Sequence, residues 1–338
     1  VTESRRMSAT SPSSRNWFRV TAGTEICTPA PPDALPIRNL PVIAPLVKRH
    51  GLPIAYYISP QLWAWGRWRM RYVRRYVDRM VVFFPFEATL YQREGVPVTW
   101  VGHPLVDEAK ASIPPEEARG RFGLNPWRRT VGLLPGSREQ EIRRHLPLML
   151  SAARQIAWHM PGVQFLLPKA AAASTETIRA CLSRVPVDVR VVDGSVYDAL
   201  QLMEGALVAS GTATLQAAIW NVPMVVVYRA SWPTYLAARL VIRVPHIAMV
   251  NLVAGRRLVP ELIQHRASPK RIAAALMELL RNDERCQTTQ AGLREVTTKL
   301  GQPGAVQRAA AKKAAGDAIG MDDQFGLGLR RRAGRAVC

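Results

Sequence analysis

The stretch ALVASGTATLQAAIWNVPMVVVY, residues 206–228, predicts a strand, a glycine turn, a helix and a second strand in immediate succession. Residues 206–209 and 224–228 are short apolar runs of the length of buried strands, and residues 213–220 between them predict a helix. Two parallel strands need such a crossover helix, which packs on the face of their sheet. This stretch therefore predicts an α/β fold with a parallel sheet.

The same alternation extends over most of the chain. The predicted strands are 54–58, 81–84, 96–102, 130–134, 163–167, 187–192, 206–209 and 224–228. The predicted helices are 44–50, one from Gly66, 86–95, 138–160, 175–183, 195–203, 213–220 and 269–280. In the helix from Gly66, apolar residues at spacings of three and four predict a buried face made of Met70, Val73, Val77, Met80 and Val81. The two α/β blocks are joined near residues 104–115, and a cleft between two such domains is where a binding or active site is expected.

Four segments follow from this pattern. Residues 1–40, rich in Ser, Thr, Pro and Arg, lack a clear strand or helix period and are predicted to be an atypical, disordered segment, with 28–36 as an extended linker. Residues 41–110 form the first α/β domain, and residues 111–315 form the second. Residues 316–338 form a basic disordered tail.

Composition narrows the partners. The 338 residues carry a formal charge of +21, which favours polyanions, phosphorylated substrates or an anionic bilayer. The four cysteines are scattered, so neither a zinc site nor a disulfide framework is predicted. No apolar run reaches the ~18 residues of a membrane span, and the first residues lack the apolar core of a signal peptide. We therefore expect a cytoplasmic protein without a zinc site.

Two glycine turns follow predicted strands and open helices. One contains Gly136, Ser137 and Arg138, and the other contains residues 210–213, SGTA. A helix N-terminus leaves backbone N–H groups unpaired, and glycine lets a phosphate approach them. Either turn alone could be an ordinary capped strand–helix connection, whereas two at one sheet edge favour an anion site.

A tryptophan- and arginine-rich segment, ISPQLWAWGRWRMRYVRRY, spans residues 58–76. Three interpretations are open: a nucleic-acid surface, a membrane-facing patch, or an ordinary amphipathic helix next to an anionic site. Trp63 and Trp65 could also pack in the domain core, with the arginines as a solvated face. None of the usual nucleic-acid-binding signatures occurs in the sequence, so no nucleic-acid partner is predicted.

These stretches resemble one family. SPQLWAWG, FFPFE, VGHPLVDEA, LLPGSREQEI, ASGTATLQAA, VPMVVVYR, NLVAGRRLVPELIQ and LGQPGAVQRAA occur in the order seen in the lipid-A-disaccharide synthases, over residues 48–315. The resemblance implies a GT-B architecture, in which two Rossmann-like domains face each other across a cleft. Residues 41–110 would then be a partial N-terminal domain on the acceptor and lipid side, and residues 111–315 a C-terminal UDP-sugar-binding domain. The resemblance implies no metal or organic cofactor. It implies transfer of 2,3-diacylglucosamine from UDP-2,3-diacylglucosamine to the 6-hydroxyl of 2,3-diacylglucosamine 1-phosphate. UDP would leave, and a β-1,6 disaccharide would form with inversion.

Site residues carry over one by one from the resemblance. The donor side is assigned to Gly136, Ser137, Arg138, Ser210, Gly211, Thr212, Ala213, Gln216, Tyr228, Arg229 and Asn251. The family commonly has Glu where this chain has Gln216, so we expect weaker hydrogen bonding to the ribose. His103 would lie at the inter-domain connection, either as a hinge residue packed against Pro104 or as a catalytic group. No catalytic residue is assigned.

The first forty residues depart from the family pattern, which has an SGExSGD-like turn and a later PDF-type acidic segment. We expect a truncated or altered N-terminal domain that lacks its first strands and the segment where a general base would be sought. A catalytically incomplete UDP-binding fragment, or another UDP-sugar transferase with a lipid-linked acceptor, is the alternative.

Acylated substrates also give the tryptophan segment an interpretation. The expected partner is the anionic inner face of the cytoplasmic membrane, to which the protein would be peripheral. The residues assigned to this membrane and acyl side are Trp63, Trp65, Trp68, Arg71, Arg74 and Arg75.

Overall fold

The computed structural model describes residues 18–21, 40–64, 66–241 and 244–314, which form two parallel β-sheets with helices packed against them. The strands are β1 (Phe18–Thr21), β2 (Ile54–Tyr57), β3 (Arg79–Val82), β4 (Val98–Trp100), β5 (Arg129–Leu134), β6 (Val163–Pro168), β7 (Val189–Val192), β8 (Gly205–Ala209), β9 (Met224–Tyr228) and β10 (Glu261–Ile263). The helices are α1 (Leu40–Arg49), α2 (Met70–Tyr76), α3 (Pro85–Arg93), α4 (Leu105–Glu108), α5 (Pro115–Phe122), α6 (Glu139–His159), α7 (Thr175–Leu182), α8 (Val196–Leu200), α9 (Ala213–Ile219), α10 (Trp232–Val241), α11 (Met249–Ala254), α12 (Pro269–Arg281), α13 (Asp283–Lys299) and α14 (Ala305–Ala314). The predicted α/β class is confirmed.

The larger sheet has the strand order β10-β9-β8-β5-β6-β7, and every neighbouring pair in it is parallel. All five residues of β8 are buried, because helices cover both faces of a parallel sheet and its inner strands are uniformly apolar. The chain leaves β9, β8 and β5, three adjacent strands, at the same edge of the sheet. The turns that follow Leu134, Ala209 and Tyr228 therefore converge there.

Two apolar layers hold this sheet between its helices. One contains side chains of α6 and α12 packed on the strands, such as Ile142, Leu146 and Leu276. The other contains side chains of α9, α11 and α13 and continues into the smaller sheet through Phe83 and Val101. One continuous core thus joins the two sheets.

The smaller sheet has the order β1-β2-β3-β4, again all parallel. Within residues 1–40, which were predicted to be a disordered segment, Phe18–Thr21 forms a strand that pairs with Ile54–Tyr57. Phe, Val and Thr suit a pleated strand, but four residues are too few to show a recognisable period. The predicted linker 28–36 and the tail 316–338 lie outside the described residues.

The helix predicted from Gly66 is shorter than expected. A 3-10 turn over Arg67–Arg69 leads into α2, which ends at Tyr76. Met70 and Val73 lie on the buried face of the helix as predicted, whereas Met80 and Val81 belong to β3. The continuous helical stripe is therefore wrong, since a buried parallel strand next to a short helix mimics the same apolar spacing.

The chain crosses twice between the sheets, and the two crossings touch. Gly102 (φ +83°) and Gly301 (φ +91°) lie so close that a β-carbon on Gly301 would be 3.1 Å from the Gly102 Cα. The His103 amide donates to the Leu300 carbonyl at 2.7 Å. The Arg308 guanidinium donates to the Val101 carbonyl at 2.8 Å. The chain thus returns at residues 300–308 to the first crossing, while the predicted boundary at residue 110 stays a prediction.

Candidate functional site

The turn after β5 has the conformation of an anion-binding loop, and a carboxylate occupies it. The backbone N–H groups of Ser137 and Arg138 donate to Glu141 Oε2 at 3.2 and 3.4 Å. Gly136 has φ +111°, and a β-carbon there would collide with the Glu141 side chain. Glu141 is the third residue of α6 and caps its N-terminus, where the helix dipole stabilises negative charge. The turn thus holds an anion of its own.

The turn after β8 leaves its amides open. Gly211 has φ +154°, and nothing within 4 Å would meet a β-carbon there. Thr214, at the start of α9, donates its hydroxyl to the Gly211 carbonyl at 2.8 Å and holds the turn. Among the described residues, none accepts a hydrogen bond from the N–H groups of Gly211, Thr212 or Ala213. These donors lie at the same sheet edge as the first turn.

His145 connects the first turn with the end of β9, and sequence reasoning missed it. Its Nδ1 donates to the Pro135 carbonyl at 3.1 Å, and its Nε2 accepts the Arg229 N–H at 3.1 Å. Those two bonds fix the neutral tautomer with its proton on Nδ1. Burial lowers the pKa of His145, which keeps the ring neutral. The detectable signal was its position on the apolar face of α6, three residues after Ile142.

The segment after β9 is held from two sides. Besides the Arg229 bond to His145, the Ala230 N–H donates to Gln264 Oε1 at 2.7 Å, and the Gln264 amide donates to the Ala230 carbonyl at 3.1 Å. Tyr228 is half-buried, its ring 6.0 Å from the His145 ring, and Arg229 is exposed. The predicted residues Tyr228 and Arg229 therefore lie beside the first turn, in a fixed backbone geometry.

Asn251 lies behind this edge. Its side chain is fully buried, donates to Glu261 Oε1 at 2.7 Å and accepts the N–H groups of Leu258 and Val259 at 2.9 Å. Glu261 in turn accepts the Ile247 N–H at 3.1 Å. The Asn251 side chain thus faces the protein interior instead of lining an open surface.

Ser210 links that network to the second turn. Its hydroxyl donates to the Ile247 carbonyl at 3.0 Å, and the Ile247 N–H donates to Glu261. Glu261 was not predicted, because a single Glu after a Val-Pro pair carries no sequence signal of burial. The pair of Asn251 and Glu261 holds the backbone that receives Ser210.

Gln216 lies in the first turn of α9, on the side of the helix that faces Tyr197. Its side-chain amide donates to the Tyr197 hydroxyl at 3.3 Å, and it is partly exposed. A Glu at this position would accept a hydrogen bond from the same hydroxyl, so the departure from the family pattern changes the charge here without removing the contact.

His103 lies at the first crossing between the sheets. It is buried, its ring is 5.1 Å from that of Phe84, and its Nδ1 accepts the Leu105 N–H at 3.1 Å. Burial lowers its pKa to about 4, so the ring is neutral over the physiological range. These are packing contacts, and the choice between a hinge residue and a catalytic group stays a prediction.

Trp63 is anchored by a buried carboxylate. Its Nε1 donates to Glu87 Oε1 at 3.1 Å, and its ring meets Phe86 edge-on at 5.4 Å. Burial raises the pKa of Glu87 to about 7, even though the Phe84 N–H and the Trp63 indole donate to it. Trp63 is therefore a fixed part of the loop after β2, while Trp65 lies outside the described residues.

Trp68 and the arginines form the exposed side of α2. The Trp68 and Tyr72 rings meet edge-on at 6.1 Å, and the Arg71 guanidinium lies 4.7 Å from the Tyr72 ring centre. Arg74 and Arg75 are exposed as well. The predicted polar side of this helix is confirmed.

The structure brings most of the residues predicted for the donor side to one sheet edge, whereas Asn251 faces the interior behind that edge. The two glycine turns, Tyr228 and Arg229 share one edge of the larger sheet, and Gln216 lies on the helix that leaves it. His103 and the tryptophan segment belong to the smaller sheet and its crossing. Within the part of the chain that the structure describes, no helix is long and apolar enough to span a bilayer.

Comparison with known proteins agrees with this arrangement. The chain resembles in fold the S. aureus MnaA–UDP co-structure (TM-score 0.56, 12% identity, 79% of this chain and 70% of that one) and UDP-GlcNAc 2-epimerase from Neisseria meningitidis (TM-score 0.53, 13% identity, 80% and 71%). The predicted arrangement of two Rossmann-like domains of GT-B type is thereby confirmed.

Sequence relatives are more specific. The chain is 44% identical to a lipid-A-disaccharide synthase of Geobacter sulfurreducens over 83% of its own length and 74% of that protein. It is 45% identical to that of Syntrophus aciditrophicus over 80% and 71%. The sequence model of the lipid-A-disaccharide synthetase family matches residues 34–315. The chain is a glycosyltransferase that belongs to the lipid-A-disaccharide synthase family.

Proposed function

We propose that the chain transfers 2,3-diacylglucosamine from UDP-2,3-diacylglucosamine to the 6-hydroxyl of 2,3-diacylglucosamine 1-phosphate. The products are the β-1,6-linked lipid A disaccharide 1-phosphate and UDP. Family membership over residues 34–315 carries this proposal. The convergence of two glycine turns at one sheet edge supports it, because the donor carries a diphosphate that needs such a cradle.

The donor diphosphate binds at the N-termini of α6 and α9. The open amides of residues 211–213 donate to one phosphate, and Ser137 and Arg138 hold the other. As the sugar–oxygen bond breaks, negative charge grows on the departing UDP. Fixed N–H groups, the helix dipoles and the Arg138 guanidinium stabilise that charge, which is commonly a large contribution to catalysis.

Glu141 has a definite role in this scheme. Its carboxylate accepts hydrogen bonds from the two amides that the diphosphate requires, and it lies 3.6 Å from the Arg138 guanidinium. Donor binding therefore displaces Glu141 from Ser137 and Arg138. The carboxylate then acts as a competitor that keeps the turn formed until the diphosphate arrives.

The acceptor side is assigned to the smaller sheet. The loop residues 59–64, held by Glu87 through Trp63, line the path of the acyl chains. Arg71, Arg74 and Arg75 face an anionic membrane surface, the expected partner of a protein with acylated substrates. The acceptor hydroxyl needs a general base within hydrogen-bond reach, and no residue of this chain is assigned that role.

Transfer by the purified chain is the direct test. The two acylated substrates are mixed with the protein and disaccharide formation is followed, while UDP binding is measured separately by calorimetry. Arg138→Ala should lower both transfer and UDP affinity. Arg143→Ala, on the same helix and paired with the exposed Glu139, is the matched control and should leave both unchanged.

The outcomes separate the alternatives. Disaccharide formation supports the proposal and places the general base among the residues present. UDP binding without transfer, by a folded protein, favours the incomplete UDP-binding fragment. Transfer to a different lipid-linked acceptor, with none to 2,3-diacylglucosamine 1-phosphate, overturns the proposal in favour of another UDP-sugar transferase.

A further inference from the structure

Helix α10 presents an apolar stripe to solvent on the larger domain. Trp232, Tyr235, Leu236 and Arg239 follow the spacing i, i+3, i+4 and i+7, which aligns them on one side of the helix. Trp232 is 59% exposed and Leu236 56% exposed. The Trp232 and Tyr235 rings meet edge-on at 5.9 Å, and the Arg239 guanidinium lies 6.0 Å from the Tyr235 ring centre. Such a stripe normally faces a core.

The backbone that precedes this stripe is firmly held. The Arg229 N–H bonds to His145, and both backbone polar groups of Ala230 bond to the Gln264 amide. Helix α10 starts two residues later, at the carboxyl edge of the larger sheet. The exposure of Trp232 is therefore a consequence of where the fold places the helix, next to the proposed donor site.

A matching group lies on the smaller domain. In the segment that follows β2, Trp68 meets Tyr72 edge-on and Arg71 lies over both rings, 5.5 and 4.7 Å from their centres. Both groups follow strands that end at the carboxyl edges of their sheets. Two unrelated parts of the sequence thus present the same exposed combination of Trp, Tyr and Arg.

Charge distinguishes these two regions from the rest of the chain. The sequence has no Asp or Glu between Asp33 and Asp78, nor between Glu204 and Glu261. The second of these acid-free segments contains α10 and also carries Arg229, Arg239, Arg243, Arg256 and Arg257, of which Arg256 is paired with Glu295 at 2.9 Å. An apolar stripe on a segment whose charged side chains are all cationic is complementary to an anionic apolar surface.

We propose that the exposed face of α10 docks on an anionic phospholipid bilayer and forms a second membrane contact beside the one on α2. Trp and Tyr rings suit the boundary between headgroups and acyl chains, and Arg239 suits the phosphates. The inference deepens the proposed function and rests on it, because a lipid-borne donor must reach the sheet edge from which α10 starts. A second protein fits less well, since a stable interface needs about 1,200 Å² and the stripe offers four side chains.

The chain contains matched controls. Trp127 is 93% exposed and Trp158 84% exposed, but both precede strands and so lie at the amino edge of the larger sheet. That edge also carries acid, since Arg129 lies 3.7 Å from Glu204. Substitution of Trp127 or Trp158 removes an even more exposed indole from a place where no bilayer contact is proposed.

The test is flotation of the purified chain with vesicles that contain no substrate. Vesicles of phosphatidylcholine alone are compared with vesicles that also contain phosphatidylglycerol, at low and physiological salt. The double variant Trp232→Ser, Leu236→Ser should bind the anionic vesicles about tenfold more weakly than wild type, as expected for the loss of two apolar contacts. Trp127→Ser and Trp158→Ser should bind like wild type.

Each result has a clear consequence. The proposal is overturned if the double variant binds anionic vesicles as tightly as the wild type does. Circular dichroism must show that the α10 variants and the controls are equally well folded. A double variant that changes the sedimentation coefficient in solution but not the vesicle binding also overturns it, in favour of contact with a second copy. UDP affinity is measured on the same variants, so that failure of the proposed function can be told apart from failure of the membrane contact. If the proposed donor site is wrong, UDP does not bind but flotation is unaffected.

Discussion

Replacing His145 with leucine should disturb the proposed donor site by loosening the backbone segments around it, without removing a group that would contact the donor. The imidazole joins the Pro135 carbonyl, at the entry to the first glycine turn, to the Arg229 N–H at the end of β9. Leucine has similar bulk but neither donor nor acceptor. The two sheet-end segments would then lose their shared partner while the apolar face of α6 stays filled.

The expected loss follows from the surroundings of the two bonds. Pro135 is buried, so its carbonyl would be left without a donor, at a cost of about 1–3 kcal/mol. Arg229 is exposed, so its N–H would regain water, and the loss there is about 0.5–1.5 kcal/mol. We expect the free energy of unfolding to fall by about 2–4 kcal/mol in total. UDP affinity should fall about tenfold, or by ~1.4 kcal/mol of binding free energy, because the first glycine turn and the end of β9 would no longer be held in place.

Urea unfolding and calorimetric UDP titration measure the two effects. His145→Gln, which can both donate and accept, should recover part of each, whereas Arg144→Leu on the exposed side of α6 should change neither. Because the folded-state pKa of His145 is lowered, its contribution is complete above the ordinary value near 6.5 and is lost as the pH falls below it. A His145→Leu protein with wild-type stability and UDP affinity would refute the bridging role.

Three further changes test other parts of the structure. Gln216→Glu should tighten UDP binding by about 1–2 kcal/mol, the difference between a charged and a neutral hydrogen bond, and calorimetry showing equal affinities would contradict this. Gly301→Ala should lower the free energy of unfolding by about 1–3 kcal/mol, because the residue has φ +91° and its β-carbon would contact Gly102 and Trp100. Gly120→Ala, at an open position in a helix, is the control and should not lower it. In the His103→Phe protein, the free energy of unfolding should fall less on acidification than it does in the wild type. The wild-type pKa of about 4 implies a loss of ~3 kcal/mol of unfolding free energy as the pH falls from 6.5 to 4. Parallel curves of unfolding free energy against pH for the two proteins would rule out His103 as the source of that loss.

Sequence patterns predicted the elements of the larger sheet closely. β9 was predicted with its observed bounds, Met224–Tyr228, and β5, β8 and α9 differ from prediction by one residue at an end. Buried parallel strands are recognisable because both their faces are covered, which makes them continuous apolar runs between turns. The prediction failed where elements are short, as in β1 and at the junction of α2 with β3.

The candidate site was only partly predictable. The two glycine turns were found because a glycine between a buried strand and a helix commonly forms an anion-binding turn. His145, Glu141 and Glu261 were missed as site residues, since a histidine or glutamate in a helix or after a proline is usually part of a solvated surface. Their roles depend on which strand ends lie side by side, and strand order cannot be read from any local window of sequence.

The sequence by itself determined the fold class, the family and the residues of the two anion turns, because these depend on local patterns and on the order of motifs along the chain. Only the tertiary structure decided that a carboxylate occupies the first turn, that Asn251 supports the site from behind, and that α10 exposes its apolar face. Each of these is a statement about neighbours distant in sequence or about how an element is placed on the fold. Parallel strands bring such neighbours together at one sheet edge, and the hydrogen bonds and burial that result there decide what each side chain can do.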